Sequence, residues 1–172
     1  MAQIKPASKA KLFCGIMYSD KKIYRRVVSE LIKKFGEIEA ESEAYDFASF
    51  TDHYFQEMGN KIMKRFVVFR KMIDRSRLAG IKLWTNSKEA SFSKSRKRAV
   101  NLDPGYFTLH NLVLASAKDR SRRIYLGKGI YAELTLVFKK DGCITFDWTY
   151  ADFKSDYVKK FFLQQRNALK EI

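Results

Sequence analysis

Residues 12–36, LFCGIMYSDKKIYRRVVSELIKKFG, decide the fold class. Leu12–Tyr18 is a short apolar run with a glycine inside, and its length favours a central strand over a helix. Asp20 then stands where a helix N-cap belongs. From Lys21 to Phe35 apolar residues recur at Ile23, Val27, Leu31 and Phe35, with Val28 and Ile32 beside them, the spacing of a wide helical stripe. Lys22, Arg25, Arg26, Lys33 and Lys34 occupy the other face, and Gly36 supplies the stop. A strand running into an amphipathic helix is the first half of a split βαβ unit.

Outward from there the pattern repeats. Glu37, Glu39, Glu41 and Glu43 alternate with Ile38, Ala40, Ser42 and Ala44, which predicts an edge strand whose charges discourage sheet-to-sheet pairing. KRFVVFRKMI (64–73) reads as the next strand, and Asp74 caps a helix through Leu78, Ile81 and Trp84 towards Phe92. Strand, helix, strand, strand, helix, strand is a ferredoxin-like (βαββαβ) start. Pro104-Gly105 is the signal of a type II turn, because proline presets φ at the first central position and glycine accepts positive φ at the second. Residues 106–116 fit either a short helix capped by Thr108 or a strand. Residues 123–127, 130–138 and 143–149 read as strands, with Asp141-Gly142 as a hairpin turn, and Ser155 caps a helix lined by Val158, Phe161, Phe162, Gln165 and Leu169. The expectation is one α+β domain over residues 11–172: a mostly antiparallel sheet, an added C-terminal hairpin and a closing C-terminal helix, preceded by a flexible basic N terminus (1–10).

A chain of 172 residues buries enough surface to fold without disulfide or metal. Cys14 and Cys143 fit no metal spacing, and Cys14 reads as a buried thiol. No apolar run is long enough for a membrane span, and the N terminus is no leader, so a cytoplasmic location is expected. The formal net charge is +15. An excess of that size favours polyanionic partners such as nucleic acid, RNA included, or an acidic membrane surface, although a solvated surface would carry the same charge.

Motifs exclude several chemistries. There is no phosphate-binding GxxxxGK[ST], no GxGxxG and no CxxC, and only two histidines, so neither a P-loop nor a zinc site is expected and no cofactor is implied. Asp52, His53 and Glu57 could meet in a metal or acid–base site, but a loop rich in Thr, Asp and Gly more often satisfies its own backbone through an Asx turn. The basic stretch after Lys118 has more shape. Arg122 and Arg123 precede Tyr125, and Lys128 stands between Gly127 and Gly129 before Tyr131. Arginine forks bind phosphate, tyrosines offer stacking faces, and glycines let a ligand approach the backbone. A glycine-bulged hairpin with a solvated basic loop is the bland equivalent.

FTDHYFQEMG, IKLWTN, NLDPGYFTLHNLVLASAKD, RRIYLGKGIYAELTL and WTYADFKS together resemble the uncharacterised prokaryotic family called domain of unknown function 4416. The resemblance runs from Lys11 to about Phe162. It implies a single-domain cytoplasmic protein and no particular activity. Its motif positions here include Asn101, Asp103, Gly105, Tyr106, Lys118, Asp119, Arg123, Tyr125, Tyr131 and Glu133.

The leading expectation is a protein that binds a phosphorylated ligand, a nucleotide or RNA end. Lys118, Arg122, Arg123 and Lys128 would hold phosphate, and Tyr106, Tyr125 and Tyr131 would bound the pocket. The rival is a metal-assisted hydrolase or phosphotransferase using Asp52, Glu57, Asp103 and Glu133 as carboxylates. A structural partner-binding module is the third reading.

Overall fold

The computed structural model describes residues 3–51, 58, 61–93 and 98–171. The first strand, β1 (Ala10–Tyr18), is buried along its whole length. Helix α1 (Lys21–Phe35) follows, with Asp20 accepting from the Lys22 N–H at 2.7 Å and Gly36 closing it at φ 92°. Strands β2 (Ile38–Glu41), β3 (Tyr45–Asp46) and β4 (Met63–Ile73) come next. Asp74 caps a short 3-10 turn that leads into helix α2 (Leu78–Phe92). The chain continues through β5 (Val100–Phe107), β6 (Asn111–Ser116), β7 (Arg123–Gly127), β8 (Ile130–Phe138) and the two-residue β9 (Cys143–Ile144). Helices α3 (Ala151–Lys154) and α4 (Asp156–Ala168) end it, with Ser155 accepting from the Val158 N–H.

Among the described residues these strands form one antiparallel sheet in the order β2-β4-β1-β5-β6-β8-β7. The first four are the ferredoxin-like unit, and the remaining strands extend the same sheet. Helices α1 and α2 cover one face, where Val27, Leu31 and Ile81 pack on Leu12, Cys14, Ile16, Val67, Phe69 and Leu102. Helices α3 and α4 cover the other, with Phe153, Phe161 and Phe162 against Phe13, Phe66, Phe107, Leu136 and Phe138. Two covered faces explain why β1 is a continuous apolar run. The acidic edge strand β2 is present, and its charges are paired, Glu39 with Lys11 and Glu41 with Arg65, while Glu37 just before it pairs with Arg70.

Three local expectations are corrected. Pro104 and Gly105 make no turn; they lie within β5, which pairs with β1 from Lys11↔Phe107 to Tyr18↔Val100. Gly105 is needed for space rather than for positive φ, since a Cβ there would lie 2.5 Å from both the Phe13 ring and the Val113 carbonyl. Thr108 caps no helix; its hydroxyl accepts from the N–H groups of His110 and Asn111 and closes the β5–β6 hairpin. The last strand stops at Ile144, because Phe146–Thr149 folds into a turn in which Phe146 N–H and Thr149 Oγ1 bond at 2.9 Å.

Strand β5 forks away from β6. Their pairing is confined to Gly105–Phe107 and Leu112–Leu114, so Val100–Pro104 and Ala115–Ser116 diverge. The opened edge of β5 is closed by side chains of α2. Lys82 Nζ donates to the Leu102 carbonyl at 2.8 Å, and Glu89 Oε1 accepts from the Leu102 N–H at 2.7 Å. Two residues on, the same edge carries Pro104, which has no N–H to satisfy.

Candidate functional site at the sheet fork

The fork opens into a cleft of about 830 Å³. Its walls come from α2 (Lys82, Asn86, Glu89), β5 (Asn101, Asp103), the end of β6 and the loop after it (Ser116, Lys118, Arg120, Arg122), Arg123 at the start of β7, Glu133 of β8, Lys64 of β4, and Tyr150–Phe153.

Asn101 and Asp103 stand two apart on β5 and therefore share a face. Arg98 Nη1 donates to Asn101 Oδ1 at 2.7 Å, and Asn101 Nδ2 donates to Asp103 Oδ2 at 2.9 Å. The other oxygen, Asp103 Oδ1, lies 3.7 Å from Lys82 Nζ, an ion-pair distance beyond hydrogen bonding. The Asp103 side chain is 31% exposed.

Glu133 is buried, and its Oε2 accepts from Arg122 Nε at 3.1 Å and Arg123 Nε at 2.7 Å. Arg123 also donates to Ser116 Oγ, the Lys118 carbonyl and the Tyr150 hydroxyl. Asp152 is buried in the same manner, and its Oδ2 accepts from Lys64 Nζ at 2.6 Å and Tyr45 Oη at 2.8 Å. The Lys64 ammonium sits among the rings of Phe47, Phe66 and Phe153, 4.7–5.4 Å from their centroids, so it is held by π faces as well as by its counter-ion. Glu133 Oε1 and Asp152 Oδ1 accept no hydrogen bond from any described residue.

The charges act on one another. Burial raises the Tyr150 phenol above its ordinary range, and the negative charges of Asp103 and Glu133 raise it further. Burial also raises the Glu89 carboxyl, against the opposing pull of Lys82, the Leu102 N–H and Arg98. The Cys14 thiol is pushed well up by burial and by Asp103, as suits an inert core cysteine.

Of the residues singled out from sequence, Asp103, Lys118, Arg122, Arg123 and Glu133 line the cleft. Asp52 and Glu57 lie outside the described residues. Tyr125 and Tyr131 face each other across the β7–β8 hairpin with ring centroids 5.2 Å apart, and Lys128 occupies its turn at φ 56°; none of these lines the cleft. Tyr106 packs on the α2 side of the sheet, with Arg75 6.0 Å from its ring. Lys64, Lys82, Glu89, Tyr150 and Asp152 were not foreseen. The available signal was a lysine at an inward position of an apolar pattern, as in MKRFVVF and AGIKLW.

Among the described residues no group of three or more His, Cys, Asp or Glu is placed to hold a metal ion, and no helix is long and apolar enough to cross a membrane. The chain belongs to the family described as a domain of unknown function (DUF4416), whose model matches residues 8–169. Searches of curated proteins and of solved structures found no match.

Proposed function

For this member of the DUF4416 family, we propose that the fork cleft binds a phosphorylated ligand of the nucleotide or RNA-end class. The observation that carries the reading is charge: Lys64, Lys82, Arg98, Lys118, Arg120, Arg122 and Arg123 line the cleft against Glu89, Asp103, Glu133 and Asp152. Arg98 is engaged with Asn101, and the other six cations divide into two groups. Lys64, Lys82 and Arg123 are buried and committed to carboxylates or backbone. Lys118 and Arg120 are exposed at the mouth and make no ion pair among the described residues, while Arg122 spends only Nε on Glu133. A guanidinium with its terminal nitrogens open binds phosphate in two-point fashion. The half-exposed Tyr150 ring offers a face to a base.

The test is calorimetric titration with nucleoside monophosphates, and with short oligoribonucleotides carrying a 5′-phosphate or a 5′-hydroxyl. The phosphate-bearing ligands are expected to bind in a salt-sensitive manner, with Lys118→Ala/Arg120→Ala weakening them about tenfold or more. Equal affinity for the 5′-hydroxyl oligomer overturns the reading.

One observation favours chemistry at the same site. Asp103 and Glu133 share the cleft and both act on Tyr150. A metal-assisted hydrolase or phosphotransferase would draw on them together with Asp52 and Glu57. Magnesium-dependent phosphate release from a bound nucleotide, abolished by Asp103→Asn, is its readout.

A further inference from the structure

We infer that the cleft reads hydroxyl groups, so that its ligand is a polyol phosphate: a sugar phosphate, or the ribose phosphate of a nucleotide. This rests on the phosphate reading above and names the part of the ligand which that reading leaves open.

Four carboxylates line the cleft, and three of them, Asp103, Glu133 and Asp152, are held the same way. One oxygen is occupied: Asp103 Oδ2 by Asn101, Glu133 Oε2 by two arginines, and Asp152 Oδ2 by Lys64 and Tyr45. The other oxygen of each accepts no hydrogen bond from a described residue. An ionised carboxylate oxygen can be satisfied only by a donor or a cation. The cleft carries an excess of positive side chains, which disfavours an ammonium ligand, and its described acids form no metal-holding group. O–H donors on an anionic ligand meet both conditions.

Asp103 is the carboxylate that such a ligand reaches. It is 31% exposed, whereas Glu133 and Asp152 are 1% exposed. Asn101 and Lys82 hold Asp103 from two sides before any ligand arrives, and Lys82 is itself fixed on the Leu102 carbonyl. A preset acceptor spares the ordering cost that a free side chain incurs on binding. Arg122, Lys118 and Arg120 would take the phosphate at the mouth while the hydroxyls turn inward.

The experiment titrates the protein with inorganic phosphate, ethyl phosphate, ribose 5-phosphate and uridine 5′-monophosphate. Ribose 5-phosphate is expected to bind about tenfold or more tightly than ethyl phosphate, the scale of a hydrogen bond to a charged acceptor. In Asp103→Asn that preference should be lost, with ribose 5-phosphate falling to the level of ethyl phosphate. Tighter binding of uridine 5′-monophosphate than of ribose 5-phosphate supports the inference and assigns the polyol to a nucleotide; the reverse order supports it and assigns a free sugar phosphate. Equal affinity of wild type for ethyl and ribose phosphates, or a preference that survives in Asp103→Asn, overturns it while leaving the phosphate reading intact. Failure of all four probes to bind overturns the phosphate reading itself. Should Asp103→Asn not fold, the wild-type ligand series decides alone.

Discussion

Lys82 Nζ donates to the main-chain carbonyl of Leu102 at 2.8 Å, and so a helix side chain takes the place of a missing strand. The sheet could not otherwise fork here, because β5 would expose unpaired backbone groups inside the protein. The same ammonium lies 3.7 Å from Asp103 and 4.0 Å from Glu89, so one buried charge closes the strand edge and orients the cleft's reachable acid.

Replacing Lys82 with methionine keeps the length and removes the charge. The Leu102 carbonyl then loses its donor, Asp103 loses the cation 3.7 Å away, and Glu89 loses one of two cations at 4.0 Å while keeping Arg98. Destabilisation of about 3 kcal/mol is expected from chemical denaturation, the range for breaking a buried ion pair from one side.

Gly105→Ala places a methyl 2.5 Å from the Phe13 ring and 2.5 Å from the Val113 carbonyl. The ring could shift, but the carbonyl belongs to the β6 ladder. A loss of about 2–3 kcal/mol is expected, with a lowered thermal midpoint, from overpacking in a filled core. The comparable change at Gly142, where a Cβ meets nothing within 4 Å, should leave the stability within about 0.5 kcal/mol of wild type.

Glu89 gives a pH test with a definite sign. Burial raises its carboxyl above the ordinary value of 4.5. The folded state therefore binds the proton more tightly than the unfolded chain does. The stability this contributes is fully present below pH 4.5 and is lost as pH rises through the elevated folded value. Glu89→Gln keeps an acceptor for the Leu102 N–H without the charge. It should remove this part of the pH dependence and be no less stable than wild type at neutral pH, as measured by urea titration across pH 4–8.

Tyr45→Phe removes one of the two donors to Asp152 Oδ2 and leaves the aromatic packing against Phe66 and Tyr157 in place. A cost of about 1–2 kcal/mol is expected, since the acceptor is charged and Lys64 remains. Lys64→Met should cost more, about 3–5 kcal/mol, because it strands a carboxylate that is 1% exposed. Thermal denaturation of both variants gives the order.

Residues 12–36 were legible from the sequence because the forces there are local. Asp20 reaches an N–H two residues away, Gly36 adopts a φ that few other residues tolerate, and the apolar stripe from Ile23 to Phe35 repeats at the helical period. The same holds for Asp74, Ser155 and the four-strand start, whose order follows once two strand–helix units must share one antiparallel sheet. Asp103 and Glu133 were legible as acids in a distinctive setting, and the structure places them in one cleft.

Pro104-Gly105 marks where the sequence stopped being sufficient. Turn preference is a property of a few residues, whereas eight paired positions along β1 hold β5 extended through them. The cleft is the same lesson at larger scale. Lys64, Lys82, Asp103, Glu133 and Asp152 are far apart in the chain, and no spacing rule links them. The sequence by itself determined β1, helix α1 with both its caps, β4 and the helix that Ser155 caps, where the deciding contacts are local. Only the tertiary structure decided that the sheet forks beyond Gly105, because a fork depends on a helix side chain arriving from elsewhere to satisfy the backbone that the parting strands leave unpaired.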